Sequence, residues 1–142
     1  PTLPLVTDTI NRQIKSRDFW MPFAPTILKD DAPKYLINPK NLQSPFMTIA
    51  FETKSQSRKD IWGAIHPTDY TCRPQILKKE NNPAYHQIIE NFKNLTGRGA
   101  ILNTSFNLHG QPIVCSPEDA IKTFAKSGLE HLAIEDYLVS KM

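Results

Sequence analysis

Hydrophobic residues recur along this sequence at helical and strand periods, which predict a chain of alternating helices and strands. The clearest helical period lies between Asn82 and Gly97, where apolar side chains are spaced three and four residues apart. Asn82 suits the N-cap of this helix, and Gly97 suits its C-terminal boundary because glycine accepts the left-handed conformation. A second helix is predicted from a cap at Ser116 to a stop at Gly128.

Shorter patterns predict the remaining elements. Ile10 and Ile14 lie on one face of a predicted first helix over residues 7–16. Segments that are rich in β-branched and aromatic residues, or held extended by prolines, predict strands. The predicted strands cover residues 23–28, 46–53, 98–105 and 131–139, with a helical turn at 31–36. Because helices and strands alternate, we expect an α/β (α+β) fold in a single domain over residues 1–142.

Composition narrows the class of protein without indicating its chemistry. The 142 residues are 39% hydrophobic and 22% charged, which is typical of a globular domain. The formal net charge of +3 suits an anionic small molecule and does not require nucleic acid. The sequence has no apolar run long enough to span a bilayer and no signal-peptide pattern, so no membrane association is expected.

The cysteines and the first residue add expectations about compartment and processing. Cys72 and Cys115 are too few for a disulfide framework and lack the spacing of metal ligands. A reducing cytoplasm is therefore the expected compartment, although the sequence does not forbid one disulfide. The sequence begins at Pro1 instead of Met, which suggests an excised segment or a processed product.

Four polar or aromatic clusters are candidates for binding or catalysis. The first, Lys15-Ser16-Arg17, ends the predicted first helix, and its two cations can bind phosphate. Basic residues also favour a helix C-terminus because of the helix dipole, and for this cluster alone that explanation is the stronger one. The second, residues 19–25, is rich in aromatic residues and prolines. It suits either a wall for a planar base or an ordinary core loop, and the core loop is favoured.

The third cluster covers residues 66–75. Arg73 and Gln75 are two residues apart, so their side chains can point to one side of an extended segment. An arginine among Asp, Thr, Tyr, His and Gln residues is a candidate for a polar pocket. His66 and Asp69 suit an acid/base pair, although a turn-stabilising aspartate explains Asp69 equally well.

The fourth cluster follows a predicted strand and carries the most hydrogen-bonding groups. Ligand sites in α/β sheets collect beyond the carboxyl ends of strands, which is where these side chains lie in the sequence. Ser105 and Asn107 can face the same side, and hydroxyl and amide groups suit phosphate or ribose oxygens. A polar hairpin ending at Gly110 is an equal alternative. The hydrogen-bonding residues are Asn103, Thr104, Ser105 and Asn107.

The order of these motifs resembles the C-terminal, YrdC-like domain of the NodU/CmcH O-carbamoyltransferases. The resemblance covers nearly the whole chain, and its specificity lies in the joint order and spacing of the motifs. The matching segments are Lys15-x-Arg17, Phe19-Trp-Met-Pro-Phe-Ala-Pro25, His66-Pro-x-Asp69-x-Thr71-x-Arg73-Pro-Gln75, Asn82-Pro-x-Tyr85, Leu95-Thr-Gly97, Leu102-Asn-Thr-Ser-Phe-Asn107 and Ile113-Val-Cys-Ser-Pro-Glu-Asp-Ala120.

The resemblance implies a YrdC-like twisted mixed sheet flanked by helices, and one stage of a two-stage enzyme. The YrdC-like domain takes carbamoyl phosphate and ATP and forms carbamoyl adenylate, releasing phosphate and pyrophosphate. An N-terminal Kae1-like domain, which holds an iron site in this family, then transfers the carbamoyl group to an acceptor hydroxyl. That domain is absent from this chain, so the resemblance implies no iron and no other metal site here. ATP and carbamoyl phosphate are the implied ligands, Mg²⁺ is a candidate companion of ATP, and the Kae1-like domain is the implied partner.

The family's anion- and nucleotide-binding positions carry over to five residues of this sequence. Lys15, Arg73 and Ser105 match positions with a catalytic role, and Arg17 and Asn107 complete the substrate- and nucleotide-binding set. Preorganised cations and hydrogen-bond donors suit a reaction in which negative charge develops on leaving phosphates.

One residue departs from the family pattern. Met21 stands immediately before Pro-Phe-Ala-Pro, at a position where many members have arginine. Arg12 and Arg98 are candidate replacements for the missing cation.

Two other functions remain open from the sequence. A YrdC-like nucleotide or double-stranded-RNA binding module is one, although 17 basic residues against 14 acidic ones form a weak electrostatic footprint for nucleic acid. A threonylcarbamoyl-adenylate-type synthase is the other, since it shares the Lys-x-Arg and Ser-x-Asn pairs. The His-Pro-x-Asp and Pro-Phe-Ala-Pro segments favour the O-carbamoyltransferase.

Overall fold

The computed structural model describes residues 4–15 and 21–142. The described chain forms two compact units, one from residues 4–6 and 21–104 and the other from residues 7–15 and 105–142. In chain order its helices and strands are α1 (Pro4–Ile10), β1 (Ala24–Leu28), α2 (Ala32–Tyr35), β2 (Leu36–Ile37), β3 (Phe51–Thr53), β4 (Thr71–Cys72), β5 (Gln75–Leu77), α3 (Pro83–Thr96), β6 (Ala100–Asn103), α4 (Pro117–Lys126), β7 (His131–Ile134) and β8 (Tyr137–Ser140).

The first unit is built on a mixed three-stranded sheet with β1 at its centre. β5 pairs with β1 in parallel, and β6 pairs with it on the other edge in antiparallel orientation. β1 is buried along its whole length because both faces of the sheet are covered. Successive side chains alternate between the faces, so Ile27 joins the main core while Leu28 packs with Leu77 and with Ile89 of α3.

A second sheet in the same unit is antiparallel and has the order β2-β3-β4. Its inward side chains join α2 in the main core, where Tyr35 and Ile61 are fully buried and Phe51 is nearly so. Two 3₁₀ helices, Ser55–Asp60 and Trp62–Ala64, connect β3 to the segment that leads to β4.

Helix α3 begins and ends where the local sequence predicts. The Asn82 side chain accepts a hydrogen bond from the backbone N–H of Tyr85 at 3.0 Å, and Pro83 occupies the first turn. Gly97 follows the helix with φ +73°, a conformation that favours glycine. The predicted helix and both of its boundaries are confirmed.

The second unit contains α4 and the hairpin of β7 and β8, together with the first-helix residues from Thr7 onward. α1 continues as a π-helical turn over Asn11–Lys15, which confirms the predicted first helix up to Lys15. Ser116 caps α4 by accepting a hydrogen bond from the N–H of Asp119 at 3.1 Å.

Gly128 has a different role from the predicted helix stop. α4 ends at Lys126, and Ser127 is its C-cap. The N–H of Gly128 donates to the carbonyl of Gln13 at 2.8 Å. A Cβ at this glycine would lie 2.8 Å from Cγ of Gln13, so glycine is needed here for close approach.

Two predicted strands differ from the observed ones. Of the predicted strand 46–53, only Phe51–Thr53 pairs in a sheet, and Phe46 is 72% exposed. The predicted strand 131–139 is a hairpin, because Glu135 turns the chain with φ +49°. β2, β4 and β5 were not predicted. The α/β fold class is confirmed by the helices and the mixed and antiparallel sheets. In the ranges 4–15 and 21–142, no helix is long and apolar enough to cross a membrane.

Candidate functional site

Lys15 is the buried centre of a polar cluster in the second unit. It ends the π-helical turn and is only 3% exposed, and such turns within α-helices are frequent at functional sites. Its Nζ donates to Oγ of Ser105 at 3.0 Å and to Oδ1 of Asn107 at 2.7 Å. It also contacts the backbone carbonyl oxygens of both residues. These oxygens offset the cost of burying an ammonium group and fix its position.

The turn after β6 holds the oxygens that surround Lys15. Oγ of Ser105 donates to Oδ1 of Asn107 at 2.7 Å, so the two side chains face the same side, as their spacing predicts. Nδ2 of Asn107 donates to the carbonyls of Gln111 at 2.7 Å and Leu108 at 3.2 Å. Asn107 is therefore anchored at both ends of its amide, and it orients the lysine and the serine.

Asn11 belongs to the same helical turn and was missed by the sequence analysis. It is 9% exposed, and its Oδ1 is buried without a hydrogen-bond partner among the described residues. Asn11 precedes Lys15 by four residues, a spacing that places two residues on one helical face. This spacing can be read from the sequence. It indicates a shared polar site only once Lys15 is known to be buried.

Of the other predicted cations, Arg73 belongs to the first unit and Arg17 is not among the described residues. The side chain of Arg73 is exposed, and its Nη1 lies 3.5 Å from the carbonyl oxygen of Met47. Within the second unit, the structure brings three of the five predicted site residues together: Lys15, Ser105 and Asn107.

Residues 66–71 form a turn in which Asp69 has a structural role. Its Oδ1 accepts hydrogen bonds from the backbone N–H and the hydroxyl of Thr71, at 2.9 and 2.8 Å. These bonds hold the pKa of Asp69 below its ordinary value, with a smaller contribution from His66. A carboxylate with a lowered pKa is a weak general base near neutral pH. The turn-stabilising explanation of Asp69 therefore outweighs the acid/base pair, although Nδ1 of His66 is 3.4 Å from Oδ1.

A second polar cluster lies inside the first unit, where α3 covers the mixed sheet. The hydroxyl of Thr26, which is fully buried, donates to Oε1 of Gln75 at 3.1 Å. It accepts hydrogen bonds from the hydroxyl of Tyr85 at 3.1 Å and from Nδ2 of Asn103 at 2.9 Å. Nδ2 of Asn103 also donates to Oε1 of Gln75 at 3.2 Å. We call Thr26, Gln75, Tyr85 and Asn103 the sheet quartet.

The aromatic and proline cluster of residues 19–25 belongs to the core from Phe23 onward. Phe23 is 2% exposed, and Ala24 and Pro25 begin the buried strand β1. The core interpretation is thus correct for these residues, while Phe19 and Trp20 lie outside the described ones. Of the two candidate replacements at the Met21 position, Arg98 is paired with Asp60, with 3.3 Å between Nε and Oδ1.

The cavity in the first unit and a search for metal-binding clusters add no residue to the candidate site. A cavity of about 670 Å³ in the first unit is lined by residues between 29 and 43 with Lys54 and Ile76, and by none of the predicted site residues. Among the residues that the structure describes, no group of three or more His, Cys, Asp or Glu side chains is placed to hold a metal ion.

Comparison with known proteins identifies the family. A family model described as Carbamoyltransferase C-terminus matches residues 1–141. The chain belongs to this carbamoyltransferase C-terminus family. The resemblance to the C-terminal domain of the NodU/CmcH carbamoyltransferases is thereby confirmed.

Individual relatives of this carbamoyltransferase C-terminus chain come from bacteria and an archaeon. It is 48% identical over 135 residues to an uncharacterized protein of Methanocaldococcus jannaschii, which covers 95% of this chain and 26% of that protein. It is 38% identical over 135 residues to nodulation protein NolO of Bradyrhizobium diazoefficiens, covering 94% and 24% of the two chains. With nodulation protein U of the same bacterium it shares 30% identity over 141 residues, covering 99% and 24%. The chain thus spans about a quarter of the length of these relatives.

Proposed function

We propose that this chain is the carbamoyl-phosphate- and ATP-binding domain of an O-carbamoyltransferase, and that it forms carbamoyl adenylate for transfer to an acceptor hydroxyl. Family membership supports the carbamoyltransferase role. The observation that carries the finer proposal is the burial of Lys15 against Ser105 and Asn107. The ammonium group of Lys15 has three N–H donors and contacts four oxygens, so in this proposal a phosphate oxygen takes the place of one of them.

In the proposed reaction, water first cleaves carbamoyl phosphate. Phosphate leaves, and the carbamoyl carbon keeps the oxygen of water as carbamate. A carbamate oxygen then attacks the α-phosphorus of ATP, and the bond from that phosphorus to the bridging oxygen of pyrophosphate breaks. The products are carbamoyl adenylate, pyrophosphate and phosphate. Negative charge increases on the leaving group in both steps, which is the charge that lysine and arginine side chains stabilise.

The predicted residues take roles that follow from their environments. In this proposal Lys15 binds a phosphoryl oxygen, and Asn107 positions Lys15 and Ser105. Ser105 holds a phosphate or carbamoyl oxygen, while the exposed guanidinium of Arg73 and the side chain of Arg17 bind further phosphate oxygens. Mg²⁺ would enter with ATP on its phosphate oxygens, a common arrangement for this ion. The acceptor step belongs to a Kae1-like partner domain.

Calorimetric titration tests the binding part of the proposal. The 142-residue chain is titrated with ATP and with freshly dissolved carbamoyl phosphate, as wild type, Lys15→Met, Arg73→Ala and Lys40→Ala. We expect the wild type to bind at least one of the two ligands, and Arg73→Ala and Lys15→Met to lose most of that affinity. Lys40→Ala is the charge-matched control, because Lys40 is exposed in a loop outside the predicted site. Equal binding by wild type and Arg73→Ala would contradict the assignment of Arg73.

The chemical part is tested by pyrophosphate release. We expect ATP-dependent pyrophosphate release with carbamoyl phosphate and none with threonine plus bicarbonate, measured with the Kae1-like domain present and absent. Release with threonine plus bicarbonate alone would favour the threonylcarbamoyl-adenylate-type synthase instead. Binding of double-stranded RNA that weakens steeply between two salt concentrations, without any pyrophosphate release, would favour the binding module.

A further inference from the structure

The sheet quartet holds two side-chain amides in a fixed arrangement. The Thr26 hydroxyl has one hydrogen and two lone pairs, and its contacts use all three: it donates to Gln75 and accepts from Tyr85 and Asn103. The direct bond from Asn103 to Gln75 then links the two amides to each other. Because Thr26 is fully buried at the centre of the sheet, this arrangement is built into the fold.

Each of the two amides keeps one atom that the quartet does not use. Nε2 of Gln75 and Oδ1 of Asn103 take part in none of the hydrogen bonds within the described residues, and both side chains are only half-buried. Turning both amides over together preserves every contact in the quartet and exchanges the two roles. In either orientation the pair presents one N–H donor and one carbonyl acceptor.

One unused donor and one unused acceptor, on two amides that are hydrogen-bonded to each other, match the groups of a carbamoyl substituent. Its carbonyl oxygen accepts from one amide while its NH₂ donates to the other. An acetyl group of the same shape has no hydrogen to donate, and a carboxylate has only acceptors. The cation needed for an attached phosphate lies on the same segment, because Arg73 precedes Gln75 by two residues and its side chain is exposed.

We propose that Gln75 and Asn103 are specificity-determining residues that read the carbamoyl group of the substrate, with Thr26 and Tyr85 as positioning residues. This inference rests on the proposed function, and it adds the element that separates carbamoyl phosphate from other acyl phosphates. A site that hydrogen-bonds a substrate NH₂ rejects the analogue without it, because the acceptor of the site is covered by the bound analogue and left unpaired.

The test compares two stable ligands that differ in one group. Phosphonoacetamide carries a carbamoyl group beside its phosphonate, and 2-oxopropylphosphonate has methyl in place of the NH₂. Affinities are measured calorimetrically for the wild-type chain, Gln75→Met, Asn103→Leu and the control Gln87→Met, whose glutamine is exposed on α3. We expect the wild type and the control to prefer phosphonoacetamide about tenfold. Asn103→Leu removes the acceptor in the orientation described, so it should make the two affinities nearly equal and leave that for 2-oxopropylphosphonate unchanged. Gln75→Met removes the donor to the carbonyl that both ligands carry, so it should weaken both ligands and keep their ratio. With both amides turned over, the two variants exchange these results.

The outcomes separate this inference from the proposed function. Equal wild-type affinity for the two ligands would overturn the role of Gln75 and Asn103 in recognising the carbamoyl group. It would not contradict the proposed binding of phosphate. Absence of binding by either ligand, by carbamoyl phosphate and by ATP would overturn the proposed function and the inference with it. Two single variants are used so that a folding failure in one, detected by circular dichroism, leaves the other to decide. A folded variant that binds both ligands as tightly as the wild type does would remove that residue from the proposal.

Discussion

At the scale of single residues, the two cysteines show how burial controls reactivity. Cys72 is 3% exposed in the core of the first unit, and burial raises the pKa of its thiol to about 12. Cys115 is exposed. Because the thiolate is the reactive species, Cys72 should be protected both by inaccessibility and by its raised pKa.

We therefore expect one thiol of the folded protein to react with Ellman's reagent at pH 8, and two after unfolding in urea. In Cys115→Ser the fast reaction of the folded protein should disappear, while one thiol still appears on unfolding. Two thiols that react equally fast in the folded wild type would show that the core around Cys72 opens readily.

Among the site residues, sequence reasoning could identify side chains and could not identify their contacts. Lys15 alone was better explained by the helix dipole, and only the resemblance linked it to Ser105 and Asn107, which are 90 and 92 residues away. The sheet quartet could not be predicted from the sequence, because it depends on the strand register that sets Thr26 opposite Gln75 and on the packing of α3 over β1. Such pairings are decided by tertiary structure.

At the scale of elements, the boundary of α3 depends on one glycine. Gly97 has φ +73°, and a Cβ built on it would meet no atom within 4 Å. A substitution there is therefore strained only by the backbone conformation. We expect Gly97→Ala to lower the free energy of unfolding by about 1 kcal/mol, measured by urea denaturation.

Gly97→Asn is the matched variant for this prediction. Asparagine tolerates the left-handed conformation better than alanine does, so it should lose about half as much stability. If alanine and asparagine cost the same, the loss would have to come from something other than the conformation of the C-terminal boundary.

The elements that the sequence predicts well are those with local signals. α3 and α4 have capping residues and prolines in the first turn, and these act within a few residues of the helix end. β2 and β4 have two residues each, and their identity depends entirely on their pairing with β3. The segment 46–50 has the composition of a strand but no partner in the described sheets, which is why composition alone predicted too long a strand there.

At the scale of the whole molecule, two buried side chains that ionise at alkaline pH make the stability of the fold depend on pH. Tyr35 and Cys72 belong to the same core cluster of the first unit. Burial, followed by the charges of Asp60 and Asp31, raises the pKa of Tyr35 from 10.0 to about 12. The pKa of Cys72 rises from 9.0 to about 12 through burial alone. Both groups hold their protons more tightly in the folded state than in the unfolded state.

The sign of the pH dependence follows from this difference. Below pH 9.0 both groups are protonated in the folded and unfolded states, so their contribution to stability is fully present. As the pH rises toward 12, the unfolded state loses these protons first, and stability falls by up to about 1.4 kcal/mol per pH unit for each group. For Cys72 the loss begins near pH 9.0, and for Tyr35 it begins near pH 10.0.

Replacing Tyr35 with phenylalanine should isolate its share of this alkaline loss. We expect Tyr35→Phe to follow the wild type up to pH 10 and to lose stability less steeply above it, in free energies of unfolding measured by urea denaturation from pH 7 to 11. Tyr137→Phe is the control, because Tyr137 is 73% exposed and lies outside the core that contains Tyr35. Parallel curves for wild type and Tyr35→Phe above pH 10 would mean that the phenol ionises as easily in the core as in the unfolded chain. Divergence of Tyr35→Phe alone would show that the core of the first unit, by excluding the phenolate, causes part of the loss of stability above pH 10.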